Sequence, residues 1–466
     1  MLKPDYNVAR NREKVNINYL NIDNAIQKVY ENKKYFLKTY GCQMNVHDSE
    51  AIASFLERLG FSKTNELDDA DVVVLNTCAI RENAHDKVFG YLGRCKHLKN
   101  IKKDLIIVLM GCMAGQVDVV EDIEKNHKYV DIVIGPNNIF DLPKLLLEKL
   151  DKQNIFVQSN SDVVPENIIY KRDSNICAWV NVMFGCDKFC TYCIVPFTRG
   201  RERSRKMEAI IEECKCLVQN GYKEITLLGQ NVNAYGNDLN LGYDFADLLE
   251  NVAKLGIPRL RFVTSHPWNF TDKMIDVIAK YENVMPYIHL PIQSGSDRIL
   301  KKMNRRYTKE EYINLFNKMK EKIPGVCITT DIIVGFPSET EEDFKETLDV
   351  VNKLKYDGAY TFIYSERKGT ASSLMKDDVS KEDKERRLHE LNELINKYSK
   401  ESNEKLLGRV VSVLLIGESE KDPEKCFGYT DTMKLVNVSC DKSLIGQIVN
   451  VKITDAKSFS LDGIVE

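Results

Sequence analysis

From Lys34 to about residue 135 the sequence repeats one cycle four times: a short apolar, β-rich run, a turn of small and polar residues, and a helical stretch. The runs are Tyr35–Tyr40, Val72–Leu75, Leu105–Met110 and Asp131–Ile134, followed by GCQMN, NTC, GCMAG and GPNN; helical patterns cover Glu50–Leu59 and begin again at Glu82. Few folds accept this alternation. Parallel strands need a crossover, and helices must cover both faces of the sheet, so the pattern predicts an α/β domain. In such sheets right-handed crossovers put the carboxyl ends of the strands on one edge, where ligands bind. Cys42, Cys78 and Cys112 each follow a strand end with one or two residues intervening, at positions 36 and 34 apart in register. That register predicts three thiols at one place, and hence a metal site. The other reading is three buried core cysteines; their common phase in the repeat weighs against it.

A longer strand–helix series follows. Strands are expected at Ala178–Phe184, Glu224–Leu228, Leu260–Thr264, Met285–His289, Thr329–Val334 and Ala359–Ile363, with helices such as Met207–Gln219, Asp272–Tyr281, Lys309–Glu321 and Glu341–Lys353 between them. Six units predict a partial (β/α)6 barrel with its site at the carboxyl ends of the strands. The unusual stretches fall there: GQNVNAYG, SHPW, LPIQSGS, GFP and, first of all, FGCDKFCTYCIVPFTRGRERSR at Phe184–Arg205. In this last stretch Cys186, Cys190 and Cys193 are separated by three and then two residues. Three such thiolates can grip an iron–sulfur cube and leave one iron open to a small molecule. A zinc knuckle with a distant fourth ligand uses similar spacing, so the spacing alone leaves both open.

The remaining segments complete the organisation. Residues 1–33 read as a polar, partly disordered lead-in with a short helix around Ile22–Tyr30, and 151–171 as a linker. Lys381–Lys405 is a charged helix that flanks the barrel through Leu388, Leu391, Leu394 and Ile395. After it, Val410–Ile416, Lys434–Val438 and Gln447–Ile453 are short β runs, expected to form a small β-barrel of a nucleic-acid-holding kind. The domains are therefore 34–150, 172–403 and 404–466. No signal-peptide core opens the chain and no apolar run is long enough for a bilayer, so a cytoplasmic protein with no membrane contact is expected. In a reducing compartment thirteen cysteines argue for metal binding over a disulfide framework. Cys95, Cys177, Cys214, Cys216, Cys327, Cys426 and Cys440 are read as structural. A net charge of −3 excludes a globally basic RNA binder, so any RNA contact is local. The basic groups are Arg199, Arg201, Arg203, Arg205 with Lys206, and Lys301, Lys302, Arg305 with Arg306.

Taken together these motifs resemble the methylthiotransferases, a branch of the radical S-adenosylmethionine (SAM) superfamily. Tyr40–Glu50 (YGCQMNVHDSE), the Cys186–Cys193 loop and Gly428–Val438 (GYTDTMKLVNV) are similar to the tRNA-acting MiaB type. Relatives that act on a ribosomal-protein aspartate or on threonylcarbamoyladenosine tend to differ around Gln43–Asn45. The resemblance implies three domains: an N-terminal three-cysteine domain, a radical SAM core and a C-terminal TRAM β-barrel. It implies two 4Fe–4S clusters, one that binds SAM at Cys186, Cys190 and Cys193, and an auxiliary one at Cys42, Cys78 and Cys112. SAM contacts are expected from Tyr192, Gln230, Asn231, Gln293 and Gly335. RNA contacts are expected from Arg199, Arg201, Arg203, Arg205 and Lys434. The last segment, from Glu404 on, carries eight Lys or Arg against ten Asp or Glu, so its grip on RNA would rest on shape and hydrogen bonds. The implied reaction is 2-methylthiolation of N6-isopentenyladenosine at position 37 of the tRNA anticodon loop. One SAM is the radical source and a second the methyl donor; an electron donor such as flavodoxin or ferredoxin and a sulfur source are also implied, with the enzyme a monomer. The rivals are another methylthiotransferase branch and a non-catalytic zinc RNA-binding protein.

Overall fold

The computed structural model describes residues 17–21, 28–78, 82–149, 155–157, 163–239, 241–419, 422 and 424–466. They divide into two compact units. The first contains the described residues up to Asp173 with Asn181–Ala209 and Arg367–Ala371; the second contains Ser174–Val180, Ile210–Glu366 and Ser372–Glu466. The three-cysteine loop at 186–193 is thus grouped with the N-terminal sheet.

In the first unit six parallel strands lie in the order Ser62–Lys63, Lys34–Thr39, Val72–Thr77, Ile106–Gly111, Ile132–Ile134, Ile155–Val157. Their side chains alternate between two cores. Val72, Val74, Val108 and Met110 pack against Ile52, Phe55 and Leu56 of the Gln43–Arg58 helix on one face. Val73, Leu75, Ile107 and Leu109 pack against Val88, Leu92 and Cys95 of the Glu82–Ile101 helix on the other. A parallel sheet buried on both sides produces such continuous apolar runs. Sheet order reverses between the first and third strands in sequence, and this switch point lies between Lys34–Thr39 and Val72–Thr77. Crevices at switch points bind ligands.

The expected linker is partly built into this unit. Ile155–Val157 is the last strand of the sheet, and Val163–Glu166 pairs in parallel with Asn18–Asn21 of the lead-in. Tyr19 Oη donates to the Ser204 carbonyl at 3.0 Å, beside the cysteine loop's exit. Most of the short helix expected around Ile22–Tyr30 lies outside the described residues.

Largely in the second unit, Arg259–Phe262, Glu224–Leu228 and Cys177–Asn181 form one three-stranded sheet, the first two of them parallel, and Tyr287–His289, Cys327–Val334 and Gly358–Ile363 form a second, parallel one. A bridge between Leu260 and Val284 joins them into the expected six-stranded partial barrel. The C-terminal barrel is closed by five strands: Val410–Glu418, Lys425–Thr430, Leu435–Ser439, Leu461–Val465 and Ile448–Ala456. The two strands that sequence reading missed, KCFGYT and LDGIV, each carry a central glycine that dilutes the alternating pattern. Cys426 and Cys440 are joined in a disulfide with Cα atoms 6.1 Å apart, which departs from the expectation of reduced cysteines.

This barrel is fastened to the amino ends of the larger barrel's strands. Arg259 donates to the carbonyls of Tyr429 (2.7 Å) and Ser412 (3.0 Å). The Lys381–Glu404 helix bridges the two barrels: Ser402 donates to Asp357 at 2.6 Å, and Asn403 Nδ2 to the Lys457 carbonyl at 2.6 Å.

Candidate metal centres

Cys42, Cys78 and Cys112 all sit at the switch-point edge of the first unit. Cys42 caps the Gln43–Arg58 helix, Cys78 follows Val72–Thr77, and Cys112 follows Ile106–Gly111. Gly41 makes the first turn possible: its φ is +123°, and a Cβ there would run into the Cys78 side chain. The Cys78 thiol's hydrogen bond, with Arg199 nearby, holds the Cys42 thiol below the ordinary cysteine range. Cys112 is fully enclosed, and burial pushes its thiol up. Asn45 supports the group from beneath: its Nδ2 donates to the Thr77 carbonyl at 2.9 Å, and the Cys42 thiol faces its Oδ1 at 3.5 Å.

The second trio is equally local. The Cys193 N–H donates to the Cys190 carbonyl at 2.9 Å, and the Cys186 N–H to the Gly200 carbonyl at 3.1 Å. Gly185, with φ +73°, turns the chain into the loop where a Cβ would strike the Arg201 carbonyl. Burial first, then Glu202, Cys193 and Cys190, raise the Cys186 thiol, as expected of clustered groups that share negative charge. The two trios are neighbours within the first unit, since Cys112 packs with Ile194, the residue after Cys193.

Each trio is a thiol-only donor set. Among the described residues no three His, Cys, Asp or Glu side chains close around a single ion. Thiolates of this kind are the donors that iron–sulfur cubes take, one per iron corner.

The arginines expected to face RNA turn inward. Arg199, Arg203 and Arg205 are 4%, 2% and 4% exposed. Arg199 pairs with Asp48 at 2.8 Å, Arg205 with Glu166 at 2.9 Å, and Arg203 donates to Asn137 at 3.1 Å. Arg201 is held by Asp187 at 2.7 Å. Lys434 is likewise internal, with its Nζ donating to Ser402 Oγ (2.9 Å) and Asn403 Oδ1 (2.6 Å). None of the five presents a free cation to phosphate. In the second basic group Arg305 is also buried, donating to the Pro291 carbonyl at 2.7 Å. Arg306 is exposed and lies 4.9 Å over the ring of Trp268, itself 45% exposed.

The residues expected to meet SAM follow strand ends. Tyr192 lies in the cysteine loop of the first unit. In the second unit Gln230 and Asn231 follow Glu224–Leu228, Gln293 follows Tyr287–His289 with φ +74°, and Gly335 follows Cys327–Val334. The Gly335 N–H is already engaged, donating to Glu339 at 2.6 Å, and Arg387 pairs with that carboxylate at 2.9 Å. Sequence reading missed Asn45, Asp48 and the inward role of Arg199; the polar spacing after Cys42 was the available signal.

Comparison with known proteins covers nearly the whole chain. The Radical SAM superfamily profile matches residues 180–351, the Uncharacterized protein family UPF0004 profile 34–135, and the TRAM domain profile 404–465. Among solved structures, a radical S-adenosylmethionine methyltransferase from Kitasatospora setae, with cobalamin and a [4Fe-4S] cluster bound, shares the fold at a TM-score of 0.54. The identity is 14%, covering 73% of this chain and 74% of that one. The tRNA-2-methylthio-N(6)-dimethylallyladenosine synthase of Staphylococcus epidermidis is 49% identical, covering 99% of this chain and 91% of its own length. That of Oceanobacillus iheyensis is 49% identical, covering 99% and 90%. With three domain matches in this order and that identity end to end, the chain belongs to the tRNA-2-methylthio-N(6)-dimethylallyladenosine synthase family.

Proposed function

We propose that the chain methylthiolates carbon 2 of N6-dimethylallyladenosine at position 37 of tRNA, using one SAM as radical source and another as methyl donor. The observation that carries this reading is the pair of three-thiol sets in one compact unit, beside end-to-end likeness to enzymes of that name. The hydrogen on adenine C2 is neither acidic nor a leaving group, so general acids and bases have no purchase on it. When bound at the two trios, iron–sulfur clusters supply the electron that splits SAM into methionine and a 5′-deoxyadenosyl radical, and the sulfur to be inserted. In the net change a C–H bond breaks and a C–S bond forms. The hydrogen leaves with 5′-deoxyadenosine, and the second SAM leaves as S-adenosylhomocysteine after methylating sulfur.

The chain's own residues bind, orient and exclude water. Tyr192, Gln230, Asn231 and Gln293 are the proposed SAM contacts; Gly335 is a weaker candidate because Glu339 takes its N–H. The target base must be unstacked from its loop before its C2 edge is reachable. Phosphate and base contacts fall to exposed groups such as Arg306 on Trp268, which combine charge with a stacking surface. A one-electron donor such as flavodoxin or ferredoxin, a sulfur source, a monomeric state and a cytoplasmic setting complete the proposal. No helix among the described residues is long and apolar enough to cross a membrane.

The test is an anaerobic incubation of reconstituted enzyme, SAM, reductant and sulfide with isopentenylated tRNA, followed by nucleoside mass spectrometry. The methylthio nucleoside is the expected product. Its absence there, with product on threonylcarbamoylated tRNA, would move the chain to another branch.

A further inference from the structure

We propose that Arg199 is a positioning residue of the auxiliary centre, reaching from the SAM-cluster loop to hold Cys112 and to set a fixed positive charge beside it. The proposal rests on the two-centre reading above. Arg199 Nε donates to Cys112 Sγ at 3.2 Å, while Nη2 donates to Asp48 Oδ2 at 2.8 Å and to Asn45 Oδ1 at 3.4 Å. Asp48 and Asn45 lie on the helix that Cys42 caps, so one guanidinium meets groups behind two of the three ligands. Its backbone is held in turn by Arg203, whose Nη2 donates to the Arg199 carbonyl at 3.0 Å.

A guanidinium stays charged when buried and presents its donors in a rigid fork. Burying it is costly unless it is paired, and Asp48 supplies the pair. The fork spends its Nη2 on that carboxylate and aims its Nε–H at sulfur. A hydrogen bond to a ligand sulfur and a nearby positive charge both favour the reduced, more negative state of an iron–sulfur centre. The residue therefore tunes the auxiliary centre from the loop that belongs to the other one.

The test uses the full chain with Cys186, Cys190 and Cys193 changed to alanine, so that only the auxiliary centre is measured. After anaerobic reconstitution the readouts are iron content, the electron paramagnetic resonance spectrum and the midpoint potential by dye-mediated titration. In that background Arg199→Gln with Asp48→Asn leaves no unpaired buried ion; it is expected to retain iron and to shift the potential negative with an altered spectrum. Asp48→Asn alone keeps the Nε donor and is expected not to shift it negative. An iron-loaded double variant with the parent's potential and spectrum overturns the proposal. If the double variant does not load, Arg199→Lys decides, since it keeps the charge and loses the Nε donor: a smaller negative shift supports the proposal and an unchanged potential overturns it. A triple-alanine parent that takes up no iron overturns the two-centre reading itself, and this inference with it.

Discussion

Gly41 and Gly185 each precede a cysteine with positive φ, and each has protein where a side chain would go. Holding alanine in such backbone costs on the order of 1–3 kcal/mol before any overlap is relieved. Gly41→Ala is expected to lose the auxiliary share of the metal, about half of the roughly eight irons that two cubes contain, and Gly185→Ala the other half; colorimetric iron assay on anaerobic protein checks both. Cysteine substitutions divide the chemistry further. Cys190→Ala should abolish 5′-deoxyadenosine formation, whereas Cys42→Ala should retain some SAM cleavage and give no thiolated tRNA. Equal loss of SAM cleavage in the two would show that the trios do not have separate tasks. The shared edge of Cys42, Cys78 and Cys112 was legible because the carboxyl ends of parallel strands lie together. The arginines were not, since a charge run on a loop normally faces solvent, whereas Arg199 finds Asp48 across 151 residues of sequence.

Secondary-structure elements were legible where burial is periodic and obscure where it is not. The helix after Cys42 begins at Gln43, not Glu50, because Asn45, His47 and Asp48 are polar yet buried, a tertiary effect that no local pattern reports. At the junction of the two barrels Asp357 accepts hydrogen bonds from Lys320 Nζ (2.9 Å), Ser402 Oγ (2.6 Å) and the Ile328 N–H (2.8 Å). Burial alone would raise this carboxyl, but Lys320 and the hydrogen bonds outweigh it and hold it below the ordinary range. A depressed carboxyl contributes stability that is present above its unfolded value, about pH 4, and is lost as pH falls through the folded value. Asp357→Asn is therefore expected to cost about 1–3 kcal/mol at pH 7, and thermal-shift curves should show the gap to the parent closing below roughly pH 4. Arg259→Met removes the donors to Tyr429 and Ser412. Limited proteolysis should then cut between the Lys381–Glu404 helix and Val410 faster than in the parent.

Across the whole molecule the three-domain order was readable from the switch between helical and alternating periods, while the Cys426–Cys440 bond was not. Those cysteines come within bonding reach only once strands Lys425–Thr430 and Leu435–Ser439 pair, which sets Cys426 against Val438 and Cys440 just beyond. Closing a loop of about 15 residues stabilises by roughly 3 kcal/mol, so mild reductant should lower the melting of the small barrel and leave iron content unchanged. A Cys426→Ser, Cys440→Ser variant that is indifferent to reductant is the matching control. The small barrel's attachment has one more consequence. It is fastened at the amino end of Arg259–Phe262, beside that of Glu224–Leu228, while Gln230 and Gly335 lie past the carboxyl ends of Glu224–Leu228 and Cys327–Val334. Five to eight residues at ~3.3 Å each separate the two ends by roughly 17–26 Å. Under the proposed function, a substrate held at both ends has to be at least that long, a requirement that an isolated nucleoside fails and a folded stem and loop meets.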